Sequence, residues 1–580
     1  MKLRIVPSCL CAFVPSASPL QWMSRLALVL ALGLASCTRV PAPLTPAGRC
    51  GDEGMWTFDN PPLAGLKTRY GFEPSPQWLE HARLSAVHVG GASGAFVSPD
   101  GLVLTNHHVA LGSLQKLSTP QNDYVQNGFF AGDRAQEMRC HDMELTVLVS
   151  MQDVTQRVMS AVDAKSAVAE QNRQRKSEIA RIEKEAADQT RLRCTVVSLY
   201  GGGEYWLYSY KRYTDVRLVM APEFQAAFYG GDPDNFTFPR FDLDFAFFRV
   251  YENDQPARTE HYFKFNPAGP KENDLVFVVG HPGSTQRLRT VAQLEYERDH
   301  RLPLSMQMSQ ASRKALYDYA ARGAEQARQV KDRIFGVENG IKARTGYYEG
   351  LRDSAIFDRL RVAEAALREE VSRRPELSDA AGSWDRIAAA VAEATRQKQS
   401  TYYSLSGSRL ADIALTLLRR ADELEKPNDK RYEEFRDSSL LSLDLHLFSK
   451  APIYPELEEH LLGTQLARAR EALGDADPFV VAVLAGRDPQ AVAHELIAGT
   501  KLADPEYRKT LASGGRAAIA QCDDPLIVLA RKVDPLLRQQ RDWHEAHIQS
   551  VEAAEGRKIA RARFAVLGRN TYPDATGTLR

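Results

Sequence analysis

The stretch from residue 97 to residue 109 constrains the fold of this 580-residue chain more than any other part of the sequence. Two short apolar runs, 95–97 and 102–104, flank Ser98-Pro-Asp-Gly101, where proline and glycine stand at positions that a tight turn favours. This pattern predicts a β-hairpin whose second strand ends at a His-His pair. Loops that follow strands often present reactive side chains, so this His-His pair is a candidate site of chemistry. A hydrogen-bonded loop histidine without chemistry is the alternative.

The pattern of apolar residues changes along the chain. From about 85 to 290 the apolar runs are short and rich in β-branched and aromatic residues, which predicts strands. The stretch 152–190 lacks Gly and Pro and predicts a helix inserted between strands. From about 291 to 565 apolar residues recur at helical spacing. After the hairpin, the predicted strands are Leu145–Val149, Cys194–Leu199, Tyr205–Tyr210, Val216–Val219, Phe245–Val250 and Leu275–Val279. The sequence therefore predicts a multi-domain β-plus-α protein.

The N-terminus predicts export. Arg25 precedes the apolar run 26–35, which is too short to span a bilayer and is typical of a signal-peptide core. The run ends in Leu34-Ala-Ser-Cys37, which resembles the lipobox of bacterial lipoproteins and predicts lipidation at Cys37. A plain secretory signal with a chance cysteine is the alternative. The expected location is the periplasm or outer membrane of a Gram-negative bacterium, with a lipid anchor.

Cysteine content and charge limit the partners and cofactors. The cysteines after Cys37 are Cys50, Cys140, Cys194 and Cys522. In an oxidising compartment these four could form two disulfides, with three pairings open. Their spacing does not suit a zinc site, and we expect no cofactor. Lys+Arg and Asp+Glu both number 74, so the charge balance gives no indication of a nucleic-acid partner.

A second informative stretch, 230–250, joins a polar, turn-forming half to a predicted strand that begins just after Asp244. A general base works better when a buried carboxylate fixes its tautomer and stabilises its protonated form. Asp244 before Phe245-Ala-Phe-Phe248 resembles the strand entry that carries this carboxylate in chymotrypsin-like serine proteases, and His108 resembles the base that follows a strand in them. That resemblance makes His108 the candidate general base and Asp244 its candidate partner.

Together these motifs resemble the bacterial family of serine exopeptidases that includes dipeptidyl-peptidases 7 and 11. The resemblance runs from Gly54-Met-Trp56 to Tyr572-Pro-Asp574. Its main motifs are Ser98-Pro-Asp-Gly-Leu-Val-Leu-Thr-Asn-His-His108, Gly230-Gly-Asp-Pro-Asp-Asn235, Pro239-Arg240, Asp244-Phe245 and Gly280-His-Pro-Gly-Ser-Thr285. The resemblance implies a chymotrypsin-like fold of two β-barrels with a helical domain inserted between them.

The resemblance also implies residue roles. His108 would be the general base and Asp244 its orienting partner. Asn235 would bind the free α-amino group of the substrate, because an amide oxygen accepts hydrogen bonds from an ammonium group. Phe236 stands where the family usually has Trp and would line that subsite, and Asn339 would contribute to it from the helical domain. On the residues alone, Asn235 is equally a turn residue and Asn339 a surface helix cap.

The expected domains are a signal peptide with lipobox at 1–37, a tether and N-terminal extension at 38–75, a first β-barrel at 76–290 with a helical insertion at 152–190, an α-helical domain at 291–565 and the start of a second barrel at 566–580. In the family, the nucleophile lies in a Gly-Asn-Ser-Gly-Ser-Pro-type loop of the second barrel. No such loop occurs in this sequence, and Ser93 and Ser284 resemble it only superficially. We therefore expect either a C-terminally truncated member of the family or a non-catalytic relative.

The expected function is that of a serine-type dipeptidyl-peptidase, which releases N-terminal dipeptides from oligopeptides through an acyl-enzyme, with its nucleophile segment absent from this chain. The alternative is a non-catalytic envelope lipoprotein that binds peptide N-termini through Asn235. The expected partners are oligopeptides, with no nucleic acid and with membrane contact only through the lipid anchor. The sequence does not distinguish a homodimer from a monomer.

Overall fold

The computed structural model describes residues 54–397, 401–405 and 407–575. The strands are β1 (Ala86–Val89), β2 (Ala92–Phe96), β3 (Leu102–Thr105), β4 (Phe129–Phe130), β5 (Met138–Arg139), β6 (Leu145–Asp153), β7 (Arg193–Leu199), β8 (Glu204–Tyr213), β9 (Asp215–Ala221), β10 (Ala246–Glu252) and β11 (Gln255–Pro256). The helices of the N-terminal half are α1 (Leu63–Tyr70), α2 (Pro76–Ser85), α3 (His107–Leu117), α4 (Tyr124–Asn127), α5 (Thr155–Ser160), α6 (Val168–Thr190), α7 (Phe224–Ala227) and α8 (Gly231–Asp234).

The helices after residue 290 are α9 (Val291–Tyr296), α10 (Leu302–Ala320), α11 (Ala324–Gln329), α12 (Lys331–Arg352), α13 (Ser354–Ser372), α14 (Ser383–Arg396), α15 (Arg409–Leu424), α16 (Asp437–Leu447), α17 (Pro455–Leu473), α18 (Pro478–Leu484), α19 (Pro489–Gly499), α20 (Pro505–Gln521), α21 (Pro525–His544) and α22 (Ser550–Leu567). Short 3₁₀ turns cover Arg134–Gln136, Pro375–Ala380, Asn428–Lys430 and Glu433–Phe435, and π-helical turns cover Glu297–Arg301 and Glu545–Gln549.

The described strands form one antiparallel sheet in the order β4-β9-β10-β3-β2-β1-β6-β8-β7, with β11 beside β10 and β5 beside β9. The predicted hairpin is β2–β3, in which Phe96 pairs with Val103. Gly101 at its turn has φ +67°, and a Cβ atom there would lie 2.9 Å from the Val250 carbonyl oxygen. The turn therefore needs glycine both for its backbone conformation and for the close approach of β10.

The pairing of β3 with β10 positions the two residues predicted to form the base pair. Thr105, the last residue of β3, lies opposite Ala246, the first residue of β10. His108 lies in the first helical turn after β3 and Asp244 lies just before Phe245 and the start of β10, so both are at the same end of the same strand pair. The ladder brings together residues that are 136 positions apart in the sequence.

Helix α3 packs on the sheet through an apolar face. Leu111 and Leu114 are buried, together with Val103 of β3 and Phe248 of β10. Full burial of such a side chain contributes about 1.5–3 kcal/mol, so the helix that begins at the His-His pair is held firmly to the strands. This core makes the start of α3 a rigid platform.

The helical region has a separate apolar core, and its helix starts are readable in the sequence. Four Asp-Pro pairs begin α18, α19, α20 and α21, with the aspartate as N-cap and proline at the first helical position. In each of the four, the aspartate carboxylate accepts a hydrogen bond from a free backbone N–H group of the first turn. Asp and Pro are favoured at those positions for this reason.

Two expectations fail in the described residues. Leu275–Val279 has the β-branched composition of a strand but pairs with no other strand, and Val278 is 97% exposed. Composition favours an extended backbone, but a strand also needs a partner ladder, which the sequence pattern did not establish. Cys140, Cys194 and Cys522 are buried free thiols, so the expected pair of disulfides is wrong for these three, and Cys50 lies outside the described residues.

Three motifs that are distant in the sequence meet in the fold. The Asp574 carboxylate accepts hydrogen bonds from Thr285 Oγ1 at 2.7 Å and from the backbone N–H group of Arg287 at 2.8 Å. The ring of Tyr572 packs edge-on against Trp56, with centroids 5.4 Å apart. The strings Gly54-Met-Trp56, Gly280-His-Pro-Gly-Ser-Thr285 and Tyr572-Pro-Asp574 are thus linked by direct contacts. Within the described ranges, no helix is long and apolar enough to cross a membrane.

Candidate active site

His108 and Asp244 form a direct hydrogen-bonded pair. His108 Nδ1 lies 2.7 Å from Asp244 Oδ2, and the backbone N–H group of His108 donates to Asp244 Oδ1 at 3.0 Å. His108 is in the first turn of α3, where backbone N–H groups have no partner within the helix. The aspartate therefore binds the imidazole ring and also caps the helix that carries it.

Asn106 strengthens this arrangement. It is the N-cap residue of α3, but its side chain makes no capping bond. Instead, Asn106 Nδ2 donates to the Asp244 backbone oxygen at 3.0 Å and to Asp244 Oδ2 at 3.2 Å. The carboxylate thus accepts hydrogen bonds from the backbone and ring of His108 and from the side chain of Asn106.

The protonation state of Asp244 follows from these contacts. Burial by itself would raise the pKa of the carboxyl group, but the hydrogen bonds from the His108 ring and backbone outweigh it and hold the pKa below its usual range. With Asp244 ionised, the Nδ1 proton of neutral His108 is held on that side. The Nε2 lone pair then points away from the aspartate and is hydrogen-bonded to nothing in the described residues, which suits a base.

His107, the other member of the pair, has a different environment. It is 2% exposed, and its ring packs edge-on to Phe224 at 6.4 Å between centroids. Burial lowers its pKa from 6.5 to about 4, against the raising influence of Asp244. His107 is therefore neutral near pH 7 and belongs to the core, whereas the side chain of His108 is 47% exposed.

The predicted anchor residues also meet. Asn235 Nδ2 donates to Asn339 Oδ1 at 3.0 Å, joining the turn after α8 to the middle of α12. Arg240 Nη1 donates to Asn235 Oδ1 at 3.2 Å. Lys342 of α12 donates through Nζ to the backbone oxygens of Asp232 at 2.6 Å and Pro233 at 3.0 Å. One face of α12 therefore holds the turn in place from the helical region.

The turn that carries Asn235 has a constrained backbone. Gly230 has φ +79°, and a Cβ atom there would lie 1.9 Å from Asp234 Oδ2, so only glycine fits. Phe236 has φ +62°, a left-handed conformation that is unusual for a large residue, and its side chain is 65% exposed. Such conformations are concentrated at functional sites, where the surrounding contacts hold them.

An aromatic wall connects the base with the anchor. Phe335 of α12 stacks on the His108 ring with centroids 6.2 Å apart, and contacts Phe228 edge-on at 4.9 Å. The Arg240 guanidinium lies over Phe228 at 4.8 Å from the ring centroid, and the same arginine binds Asn235. Base, wall and anchor form one continuous set of contacts.

Acidic groups lie on the outer side of the anchor. Burial raises the pKa of Asp232, and the neighbouring Glu338 carboxylate raises it further, while Lys342 and Arg240 oppose the shift. Glu338 directly precedes Asn339 on α12 and also accepts from Arg313 Nη1 at 3.4 Å. The electrostatic environment of the two amides therefore includes nearby carboxyl groups, which favour a cationic group on a ligand.

The two serines considered from the sequence are engaged or placed elsewhere. Ser93 lies in β2, and its Oγ accepts a hydrogen bond from the backbone N–H group of His281 at 2.6 Å. Ser284 is exposed in the segment that binds the Tyr572-Pro-Asp574 motif. Neither is hydrogen-bonded to His108 in the described structure. Nor does that part of the chain contain a group of three or more His, Cys, Asp or Glu side chains arranged for a metal ion.

Phe335 and Asp232 belong to the candidate site but were not singled out from the sequence. Phe335 lies four residues before Asn339 on the same helix, so the helical repeat puts both on one face. That spacing was a signal once Asn339 had been singled out. Asp232 lies inside the quoted glycine-rich string but was treated only as part of its turn.

The sequence of this chain matches a known protein family. A protein-family model described as Peptidase S46 matches residues 51–580. This chain belongs to the peptidase S46 family. The resemblance predicted from the motifs is thereby confirmed.

Curated relatives of this S46 member carry dipeptidyl-peptidase names. Dipeptidyl-peptidase 7 of Capnocytophaga gingivalis is 25% identical over 510 residues, which cover 85% of this chain and 70% of that protein. An Asp/Glu-specific dipeptidyl-peptidase of the same organism is 36% identical over 220 residues, or 36% of this chain and 31% of the relative. A second Asp/Glu-specific enzyme, from Shewanella putrefaciens, is 28% identical over 413 residues, 67% of this chain and 56% of that protein.

Solved structures confirm the β-plus-α multi-domain fold. The DPP11 of Porphyromonas endodontalis in complex with the dipeptide Arg-Glu superposes with a TM-score of 0.70 at 22% identity, covering 91% of this chain and 80% of that one. The complex of the same DPP11 with Arg-Asp gives a TM-score of 0.69. At 22% identity the superposition establishes the fold, and the roles of individual residues rest on the geometry of the site.

Proposed function

We propose that this protein is a serine-type dipeptidyl-peptidase that releases dipeptides from the free N-terminus of oligopeptides through an acyl-enzyme. The observation that carries the proposal is the continuous set of contacts from the His108–Asp244 pair through Phe335 to the Asn235–Asn339 pair. The S46 family and the names of the curated relatives support the same activity. They do not favour the alternative of a non-catalytic binding protein.

In this proposal His108 is the general base. The Nδ1–H group donates to Asp244, which leaves Nε2 to take the proton of the nucleophile and later to give it to the leaving amine. Asp244 stabilises the imidazolium ion that forms in between. The proposal requires a serine hydroxyl on the Nε2 side of the ring, of the type that the family carries in a Gly-Asn-Ser-Gly-Ser-Pro loop.

Asn235 and Asn339 are proposed to bind the substrate's α-ammonium group. Each amide oxygen has two lone pairs, so it can keep its present hydrogen bond and accept another from the ammonium. The carboxyl of Asp232 adds favourable charge, and Phe236 would line the side of the subsite. An anchor at a fixed distance from the base lets the enzyme cut after the second residue.

Cellular location and assembly state are part of the same proposal. Cys37 and its lipobox lie outside the described residues, and we propose that Cys37 is lipidated and anchors an exported protein in the cell envelope. Mass spectrometry of the mature protein would show the diacylglyceryl thioether on Cys37, and an unmodified mature N-terminus would contradict it. Analytical ultracentrifugation of the purified protein decides between monomer and homodimer.

The anchor is tested by peptide binding, which needs no nucleophile. A fluorescent tetrapeptide with a free N-terminus should bind the chain at least about tenfold more tightly than its acetylated twin, because acetylation removes the charge and two donors. Asn235→Ala and Asn339→Ala should each reduce this preference, and exposed Asn570→Ala should not. Equal binding of the two peptides by the wild type contradicts the anchor.

The chemistry is tested on the protein expressed from the genomic reading frame that contains this sequence. The expected product hydrolyses dipeptidyl chromogenic substrates and loses activity on His108→Ala or Asp244→Ala. Full activity in both variants would refute the assignment of the base pair.

A further inference from the structure

A cavity of about 370 Å³, lined by both apolar and charged side chains, lies between α3 and the helical region, apart from the candidate active site. The sheet region contributes Gln115 and Lys116 from the second half of α3. The helical region contributes Asp332 and Arg333 from the first turn of α12 and Arg409 from the start of α15. Cavities of this size accommodate small organic ligands.

Two ion pairs that border the cavity are satisfied by protein groups. Lys116 Nζ lies 2.6 Å from Asp142 Oδ1, and Asp142 also accepts from Ser449 Oγ at 2.8 Å. Glu458 accepts from Ser408 Oγ at 2.7 Å and lies 3.5 Å from Arg333 Nη2. Within these pairs each charge faces an opposite charge of the protein, so they shape the walls of the cavity.

Three other groups have capacity to spare. Gln115 is 5% exposed, and neither its amide nitrogen nor its amide oxygen has a hydrogen-bond partner in the described structure. Arg409 makes one long hydrogen bond within the described residues, from Nη1 to the Pro452 oxygen at 3.4 Å. The Asp332 carboxylate accepts from the backbone N–H group of Arg333 at 2.8 Å. A buried amide with both polar atoms unpaired is energetically unfavourable, so a polar occupant is expected.

We propose that this cavity binds a small zwitterion, an ammonium carboxylate of the size of an amino acid or dipeptide. Its carboxylate pairs with Arg409, its ammonium group pairs with Asp332, and Gln115 hydrogen-bonds between the two charges. A guanidinium group binds carboxylates through two parallel hydrogen bonds, and a carboxylate prefers a cationic donor when both are removed from water.

The electrostatic environment of the cavity walls favours that ligand. Burial lowers the pKa of Arg409, with the Arg333 charge adding to the effect, although Asp142 and Glu458 oppose it. Burial raises the pKa of Asp332, against the influence of Arg333 and Lys116. Each shift disfavours the charged form, so both groups gain from a ligand of opposite charge.

The position of the cavity would let such a ligand link the two helices that carry Asn339 and His108. Asp332 lies in the first turn of α12, and Asn339 lies two turns further along the same helix. Gln115 lies two turns after His108 on α3. A bound zwitterion would tie the start of the anchor helix to the end of the base helix, outside the contacts that the peptide itself makes.

The test is calorimetric titration of the purified full chain with glycine, 4-aminobutyrate and glycylglycine, beside acetate and ethylammonium. We expect at least one zwitterion to bind and the singly charged ions to bind at least about tenfold more weakly, because each satisfies one end only. Gln115→Leu should weaken zwitterion binding by about tenfold without lowering Tm, since it removes an unpaired buried amide at similar volume. Arg409→Met should weaken it as well.

A matched variant separates this cavity from the candidate active site. Asn235→Ala removes a residue of the peptide anchor and should leave zwitterion binding by the cavity unchanged. Absence of binding by every zwitterion, with Gln115→Leu more stable than the wild type, would mean that water alone fills the cavity and overturns the proposal. Binding that Asn235→Ala abolishes and Gln115→Leu leaves intact would also overturn it.

Discussion

The sheet region and the helical region contribute to the candidate site in different ways. The sheet region supplies His108 and Asp244, whose positions are fixed by a strand pair and a helix N-terminus. The helical region supplies one face of α12, with Phe335, Asn339 and Lys342, and its contacts to the site are made only through side chains.

This difference separates proton transfer from substrate placement. Backbone ladders and a buried core hold the base pair, and the helical region adds the stacking of Phe335 on the His108 ring. The anchor exists only while α12 lies against the turn after α8. Substitutions of the base pair should therefore change kcat, and substitutions of the anchor residues, including those on α12, should change KM or peptide affinity.

Asp244→Asn is expected to have the largest effect. An amide can hold the imidazole in the wrong tautomer and cannot stabilise the imidazolium ion, so kcat should fall by about 10⁴-fold while KM changes little. Steady-state hydrolysis of a dipeptidyl chromogenic substrate by the protein expressed from the genomic reading frame measures both kcat and KM. Asp254→Asn, at an aspartate whose side chain is 87% exposed, is the control. A change mainly in KM would break the proposed division between the regions.

His107→Gln tests how firmly the start of α3 is buried. The pKa of His107 falls from 6.5 to about 4 on folding, so the unfolded chain binds the proton first as the pH drops. Stability therefore decreases between pH 6.5 and pH 4, and this group should account for about 3 kcal/mol of the loss. Urea unfolding at several pH values should show a shallower pH dependence in His107→Gln. Identical slopes for variant and wild type would contradict the buried position.

Asn339→Ala addresses the helical contribution. Loss of one hydrogen bond to a charged group should weaken the binding of a free-N-terminal peptide by about 1.5–3 kcal/mol, with kcat affected less. Glu349→Ala on the exposed side of α12 is the matched control. A double-mutant cycle with Asn235→Ala should show coupling, because the two amides are hydrogen-bonded; strictly additive effects would show that they act separately.

Lys342→Met should have the smallest effect. It keeps the aliphatic stem but removes the donor to the Asp232 and Pro233 oxygens, so α12 holds the turn less tightly. Peptide affinity should fall by about twofold to fivefold, the range of a partly exposed hydrogen bond. Fluorescence titration is sensitive enough to resolve this change, and an effect as large as that of Asn339→Ala would mean that the lysine itself binds the peptide.

Local patterns predicted the elements that depend on local chemistry. The β2–β3 hairpin followed from Pro and Gly at its turn, and β6 to β10 from their β-branched and aromatic runs. Leu275–Val279 has the same composition and forms no ladder, because pairing depends on what lies beside it.

The residues of the candidate site also divide into those that local sequence patterns identified and those that they did not. His108 and Asp244 were identifiable because each lies at the end of a recognisable strand. The contact between Asn235 and Asn339 joins residues 104 positions apart and came only from the family resemblance. The cavity at Gln115 left no sequence signal, because its walls come from helices that are unrelated in the sequence.

The pairing of β3 with β10 also orders the assembly of the site in time. His108 cannot meet Asp244 until the chain has been made and paired through Ala246 and the residues that follow it. The amide contact waits longer, because α12 must form and dock afterwards. Closing such long loops is slow compared with forming a helix, so a chain in transit carries the parts of a hydrolase without its working arrangement. The topology thereby delays any proteolytic chemistry until synthesis has passed the middle of the molecule.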